Sequence, residues 1–483
     1  MDVDGEQDLY DLLASGQLSE RTFDALLSLM QTGVDLNHAD RERLFALPNV
    51  TLEQVDAIVA VRAAAGRITG LSQLVAEGAI DAVTARTLTP FVIVESDEPA
   101  RPVAGFVRAL SRATMPADRW PPTIAAQARV RAFGALDLGA LGVLVRNDLG
   151  RVRWDQGRRA LASTPERPRV LLPKVYAQWK TARWGIVVGT YRIGFGQRLT
   201  FDVTDQAFPN GFLGDFELRR GSALVLSCRR RAGELVTDPC PDDRTARVSP
   251  DYRWSNRLTG AAMSANRLEV GRGWFQVTAW GSYQVHRALQ TELVDASLCP
   301  DPRREDERCR PPTVYVIDDQ RPSHPAATFS GGTLARIATE GLAGANVAYA
   351  WDTRTRLGVT GYGAVPRWRI RGVELGFQET ARRPFGGPFG AIGIDASLGE
   401  GVQDFFVEVT RSLDAGRGGG WGAVFRSITT LPSAVFDVTA RYYGREFANP
   451  YARPIAAPDE FEGLRARDEL GGRAQVTGVL GRG

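Results

Sequence analysis

From Pro122 onward the chain alternates with a period of two. "GWFQVTAWGSYQV" sets Phe275, Val277, Ala279 and Tyr283 on one face against Gln276, Thr278 and Ser282 on the other. "VQDFFVEVTRS" opposes Phe405, Val407 and Val409 to Asp404, Glu408 and Thr410, and "SAVFDVTARYYG" opposes Phe436, Val438 and Tyr442 to Asp437, Thr439 and Arg441. Period two is the strand period, and about a dozen such segments of roughly ten residues follow one another without a comparable helical run. Short turns alternate with long polar segments such as 200–255 and 288–340. Strands with one apolar and one charged face, joined this way, predict a large antiparallel transmembrane β-barrel. A soluble β-sandwich or propeller competes, although no blade-length repeat supports a propeller. Trp179, Trp184, Trp274, Trp351, Tyr442 and Tyr443 near strand ends are expected to form interfacial girdles. The strand count comes to about thirteen, whereas bacterial barrels take even numbers, so either the count is off by one or closing strands are missing at the C-terminus.

Composition adds limits. The 483 residues carry a formal net charge of only +3, which gives no global bias toward polyanions. Lysine occurs only at Lys174 and Lys180, and this arginine-for-lysine bias reads as codon choice rather than nucleic-acid recognition. Cys228, Cys240, Cys299 and Cys309 fall into two local pairs within polar stretches. They lack the Cys-x-x-Cys spacing of a metal site, so two loop disulfides and an oxidising compartment are expected. No run approaches the ~18 apolar residues of a membrane helix. The N-terminus, "MDVDGEQDLYDLL", is acidic and shows no export signal, which stands against the outer-membrane expectation.

Before Pro122 the periodicity is helical. Four regions are expected: a helical segment at 1–34, a compact helical domain at 35–95, a Pro-rich linker at 96–122 with one short helix near Phe106–Arg112, and the barrel at 123–483. "FDALLSLM" places Phe23, Leu26, Leu27 and Met30 on one face. Asn37 or Asp40 is expected to cap a short helix ending near Leu47. Thr51-Leu52-Glu53-Gln54 has capping-box spacing, and Gly66 is expected to stop the helix it opens. A turn at Gly78, a helix from Asp81 and a stop near Pro90 follow.

The segment Asp35–Val94 carries "LN-x-AD-x-x-x-L-x-x-LP", then "A-I-V-x-x-R-x-x-x-G", then "L-x-x-L". It resembles the helix-hairpin-helix domain of competence-type DNA receptors, in which hairpin amides meet DNA phosphates. That resemblance would place duplex-DNA contacts at Asn49, Val50, Thr51, Leu52 and Glu53 and at Gly78, Ala79 and Ile80. Arg41, Arg43, Arg62 and Arg67 would neutralise phosphate. Both glycines of the family's first hairpin are replaced here, and Glu77 and Asp81 flank the second, so a protein-docking role stands beside DNA binding. Joined to the strand array, the segment resembles a family of bacterial outer-membrane proteins with an N-terminal helix-hairpin-helix domain. "GTYRIGFGQRL" (Gly189–Leu199) matches that family's Gly-Gln-Gly-Leu strand end, with Arg198 in place of the last glycine. "DYRWSNRLTGAA" and "RYYGREFANPYARPIAAPDEFEGLRARDELG" are similar to later stretches of it.

Within "TYRIGFGQRLTFD" the nucleotide fingerprint fails: its sixth position is Leu199 and no helix follows. The stretch reads instead as a lumen-facing strand end. His38, His286 and His324 are isolated, and no catalytic motif is found, so no enzyme, cofactor or metal is expected. Arg192, Asp404, Glu408, Asp437 and Arg441 are expected to line the lumen, with Asp404, Glu408, Asp437 and Arg441 on neighbouring strands. The partners expected are outer-membrane lipid, with duplex DNA or a periplasmic protein on the helical domain. The leading functional expectation is a barrel whose periplasmic helical domain recruits such a partner in a DNA-uptake-like role. The alternative is a solute porin or surface scaffold in which that domain is a plug or docking arm.

Overall fold

A computed structural model describes residues 33–94, 103–112, 123–145, 149–216, 219–220, 252–253, 257–317, 328–329, 333–454 and 466–478, apart from 38, 40, 46, 49, 166, 167, 182, 205, 207, 305, 432 and 433. Residues 8, 9, 12, 26, 29 and 30 are also described.

The expected helices, capping box and glycine stop are found where they are described, and one expected cap is not. Helix α1 spans Arg41–Phe45, α2 Leu52–Ala65, α3 Leu71–Ala76 and α4 Ala82–Leu88. Thr51 caps α2: the Gln54 N–H donates to Thr51 Oγ1 at 3.2 Å, and the Thr51 N–H donates to Gln54 Oε1 at 3.0 Å. Gly66 ends α2 at φ 71°, a left-handed conformation that glycine adopts without strain. Asp81 caps α4 through the Thr84 N–H at 2.7 Å. Asn37 does not cap α1. Its side chain clasps the backbone of Ile68 from both sides, at 2.7 and 2.9 Å, and so ties the first turn to the end of α2. Val34–Asp35 pairs in parallel with Val92–Ile93, closing a domain with its own core of Leu36, Leu44, Val55, Ile58, Leu74 and Phe91. Leu26 and Met30 pack against that core, while Phe23, Leu27 and Asp40 lie outside the described residues.

The sheet starts earlier than expected. Val103–Arg112 is strand β1, paired along its length with β2, Thr123–Ala132. This corrects the expected linker with a helix at Phe106–Arg112: tertiary pairing overrides a weak local signal. The other strands are β3 (Leu136–Val145), β4 (Arg169–Lys180), β5 (Trp184–Gly194), β6 (Leu258–Val270) and β7 (Gly273–Leu289). They continue as β8 (Thr333–Ala350), β9 (Arg356–Trp368), β10 (Phe389–Glu400), β11 (Gln403–Asp414), β12 (Trp421–Leu431), β13 (Ala434–Tyr443) and β14 (Glu469–Gly478). Each pairs antiparallel with the next, so the described meander has fourteen strands rather than the expected thirteen, with Gly211–Gly214 added beside β5. Among the described residues β1 and β14 are the sheet's two edges.

The connections sort by end. Residues 133–135, 181–183, 271–272, 351–355, 401–402 and 432–433 make short links at one end of the sheet. Residues 146–168, 195–257, 290–332, 369–388 and 444–468 are long links at the other. The long links build small sheets of their own: Ala160–Ser163 pairs with Arg153–Asp155 and Val314–Val316, and Leu293–Asp295 with Leu375–Phe377. A core of Leu161, Leu293, Val314, Leu334, Leu375 and Phe377 holds this cap together. Cys299 and Cys309 form a disulfide within it, as expected, and Cys228 and Cys240 lie outside the described residues.

Burial across the sheet is inverted relative to a water-soluble protein. Val277, Val347, Val359, Ile394 and Val409 are register partners in one row across β7 to β11, and they are 37–55% exposed. One position along, Thr278, Asn346, Thr360 and Thr410 form the adjoining row on the opposite face, and they are 0–2% exposed. Trp179, Trp184 and Trp351 are exposed near the short connections, and Trp421 and Tyr442 near the other end. Tyr443 departs from the expected girdle. It points inward and is buried with Leu199 and Phe447.

Candidate functional site

The buried face of the sheet is occupied from two directions. One occupant is the connection after β5, the stretch singled out as "TYRIGFGQRLTFD". It does not end as a bare strand. At Gly189, φ 102°, β5 leaves its neighbour β4, and beyond that point it pairs with Gly211–Gly214 instead. The chain then folds across the sheet's inner face to β11. Gly196 and Arg198 take left-handed φ of 59° and 71°. Alternation of this kind turns successive N–H groups toward one point, the anion-binding concavity known as a nest. The anion here is internal. Glu408 accepts from the Gln197 N–H at 2.6 Å, the Leu199 N–H at 3.1 Å, the Thr200 N–H at 2.7 Å and the Thr200 hydroxyl at 2.6 Å. A side chain at position 196 would sit 2.9 Å from the Glu408 carboxylate and 3.0 Å from Asp395, so glycine is required for space as well as for φ. Arg198 occupies the left-handed position that is glycine in the resembled family, and its guanidinium pairs with Asp202 at 2.7 Å.

The C-terminal block that shares the resemblance meets this loop. The Asn449 amide donates to Leu199 O and Thr200 O at 2.9 Å each, the Asp202 N–H donates to Tyr451 O at 2.8 Å, and the Arg453 N–H to Arg198 O at 2.7 Å. Phe201 lies at 5.0 Å from Trp280, 4.9 Å from Tyr362 and 5.0 Å from Tyr451, ring centroid to centroid. The Tyr451 hydroxyl donates to Glu340, which also pairs with Arg383 at 2.8 Å and His286 at 3.3 Å. The loop is thus fixed by a carboxylate at its tip and by an aromatic cluster at its base.

The second occupant is the helical domain. Arg41 pairs with Asp56 of its own domain at 2.7 Å and with Asp404 of β11 at 3.3 Å. Arg354 pairs with the same Asp404 at 2.9 Å and reaches Asp56 at 3.8 Å. Burial pulls the Arg41 pKa down, but the hydrogen bonds and charges of Asp56 and Asp404 outweigh it and hold the group above its ordinary value. Leu52 packs with Phe208, Phe406 and Ile428, and Phe45 lies 5.2 Å from Phe208.

This arrangement redistributes the expected site residues. Asp404 and Glu408 are buried on the inner face. Asp437 and Arg441 do not meet them, because β12 lies between β11 and β13. Asp437 pairs with Arg426 at 2.7 Å and Arg441 pairs with Glu469. Arg192 is 1% exposed beside Asp215, which also binds Lys174. Of the residues expected to meet DNA, Arg41 and Leu52 face the sheet, Val50, Ala79 and Ile80 are buried, and Arg62 donates to Leu36 O and Ala39 O. Thr51 is engaged in its capping box, Glu53 and Gly78 are exposed, and Arg67 is half-buried. Asn49 and the Arg43 side chain lie outside the described residues. Gln197, Thr200, Phe208, Glu340, Arg354 and Tyr451 were missed. The signal for two of them, Gln197 and Tyr451, was present in the two resembling blocks, 189–199 and 441–471, whose mutual contact local periodicity does not show.

No family model matches the chain, and no curated protein matches it in sequence. Among solved structures it is similar to a loop-deleted form of the outer membrane protein OmpT of Vibrio cholerae, with 10% identity over 70% of this chain and 93% of that one and a TM-score of 0.26. It is also similar to OpdQ of Pseudomonas aeruginosa (9% identity, 77% of this chain and 74% of that one, TM-score 0.29) and to OmpF of Salmonella typhi (10% identity, 78% and 96%, TM-score 0.25). At these values no ligand or activity passes from those proteins to this chain, and the functional reading rests on its own geometry.

Proposed function

We propose that the chain is an outer-membrane β-barrel whose lumen is stoppered by its own N-terminal helical domain, and that it serves regulated passage across that membrane. The inverted burial carries this reading. A row of valine and isoleucine side chains left 37–55% exposed forgoes in water a share of the about 1.5–3 kcal/mol each that full burial gives, whereas in hydrocarbon it costs nothing. The polar row turned inward fits a hydrated or protein-filled lumen. Exposed tryptophans near both ends fit the two interfaces, and the short connections fit the periplasmic side, where the helical domain also lies.

The plug alternative gains over recruitment of duplex DNA. Arg41 and Leu52 belong to the hairpin that would meet phosphate, and both are engaged by the sheet wall. Cell fractionation with heat-modifiable gel migration tests the barrel: the protein should fractionate with outer membranes and run faster unheated than heated. Recovery from the cytosol with no change of migration on heating would overturn the reading. A salt-sensitive shift of duplex DNA by the full protein would restore DNA recruitment.

A further inference from the structure

We infer that the helical domain and the 195–210 loop form a two-part gate joined at Phe208, so that release of either part loosens the other. The inference rests on the plugged-barrel reading and deepens it. The two parts enter from opposite ends of the sheet. Asp404, which holds the helical domain, is two residues beyond the short 401–402 turn, whereas the loop springs from the long-connection end of β5. Among the described residues, they meet at the Phe208 side chain. The Phe208 ring lies 5.2 Å from Phe45 of the helical domain and 5.1 Å from Phe406 of the wall, with the Arg426 guanidinium over it at 5.0 Å. Leu52 and Ile428 complete that cluster.

The joint is small and separate. The helical domain keeps its own core, so it can leave the wall without unfolding. Among the described residues, the Phe208 cluster and the Arg41–Asp404–Arg354–Asp56 group hold it there; Arg41 and Asp404 are buried, whereas Asp56 is 34% exposed and Arg354 20%. The outer Arg354–Asp56 pair, at 3.8 Å, exchanges readily with water, so the buried Arg41–Asp404 pair carries the closure. Displacement of one part is felt by the other through a side chain packed against both, and Phe208 is shared by both parts.

The test uses the full-length protein in outer-membrane vesicles, with Cys228 and Cys240 replaced by serine. One reporter is Ile428→Cys, beneath the helical domain. The other is Thr410→Cys, beneath the loop, where the Thr410 hydroxyl meets that of Thr200 at 2.6 Å. Each is labelled by a water-soluble maleimide. The isosteric Asp404→Asn should raise the labelling rate at both reporters by about tenfold, because one partner of a buried charge group is lost. Phe208→Ala should do the same by removing the joint. A rise at Ile428→Cys alone would show two independent closures and overturn the coupling. No rise at either, in protein that keeps heat-modifiable migration, would overturn the gate. Loss of that migration in the unsubstituted protein would instead overturn the barrel reading itself.

Discussion

The Gln197 backbone N–H donates to the Glu408 carboxylate at 2.6 Å across 211 residues of sequence. Two further amides and one hydroxyl converge on the same carboxylate. Glu408→Ala would leave the three amides buried without that acceptor, at about 1–3 kcal/mol each, while the Thr200 hydroxyl keeps Thr410. The expected outcome is faster hydrogen exchange at Gln197, Leu199 and Thr200, with β5 and β11 themselves still protected. Unchanged protection at those three amides would show that the aromatic base alone holds the loop.

Val409 separates a membrane barrel from a soluble sheet. It is 41% exposed on the apolar face. Val409→Arg should cost about 2–4 kcal/mol in a bilayer. In a water-soluble protein the same exposed substitution would fall within about 0.5 kcal/mol. Denaturant titration in lipid vesicles distinguishes the two.

The helical domain depends on its caps. Thr51→Ala removes the hydroxyl that accepts from Gln54 and should cost about 1 kcal/mol, read as faster amide exchange in the first turn of α2. Thr51→Ser should restore protection, since it keeps the hydroxyl.

Asp81 gives that domain a pH dependence of known sign. The Thr84 backbone N–H holds its pKa below the ordinary carboxylate value. A carboxylate lowered on folding contributes stability that is fully present above its unfolded pKa and is lost as pH falls through the folded one. Exchange in α4 should therefore rise on acidification below about pH 4. Asp81→Asn, which also caps helices, should flatten that rise.

Reduction of Cys299–Cys309 should open the 299–309 loop to trypsin at Arg303 and Arg308. Both exposed arginines are paired to half-buried carboxylates, Asp301 and Asp306, whose pKa values are held down at about 2 by those side chains. The rest of the cap should resist, because its core of Leu161, Leu293 and Val314 does not depend on the bridge. Cleavage throughout the cap would assign the disulfide a wider structural role.

Much of the architecture was legible residue by residue. Capping at Thr51, the stop at Gly66 and the turn at Gly78 depend on neighbours within four positions, and each was found where the sequence put it. Strand β1 was misread because Val103–Arg112 becomes a strand through its pairing with β2. Asp437 and Arg441 were grouped with Asp404 and Glu408 because alternation gives the face of a residue but not the strand beside it.

The sequence by itself determined the two periodicities, the helix caps and the Cys299–Cys309 bridge, all set by local sterics and hydrogen bonding. Only the tertiary structure decided what fills the polar face. The loop "GFGQRLT" has the backbone of an anion cradle, and which anion it holds depends on where the fold brings Glu408. Likewise Arg41 has the charge of a phosphate contact, and the fold places Asp404 against it. Period-two alternation is indifferent to what lies on either side of it. Contacts over two hundred residues or more are fixed by strand order and register, which no short stretch of chain contains.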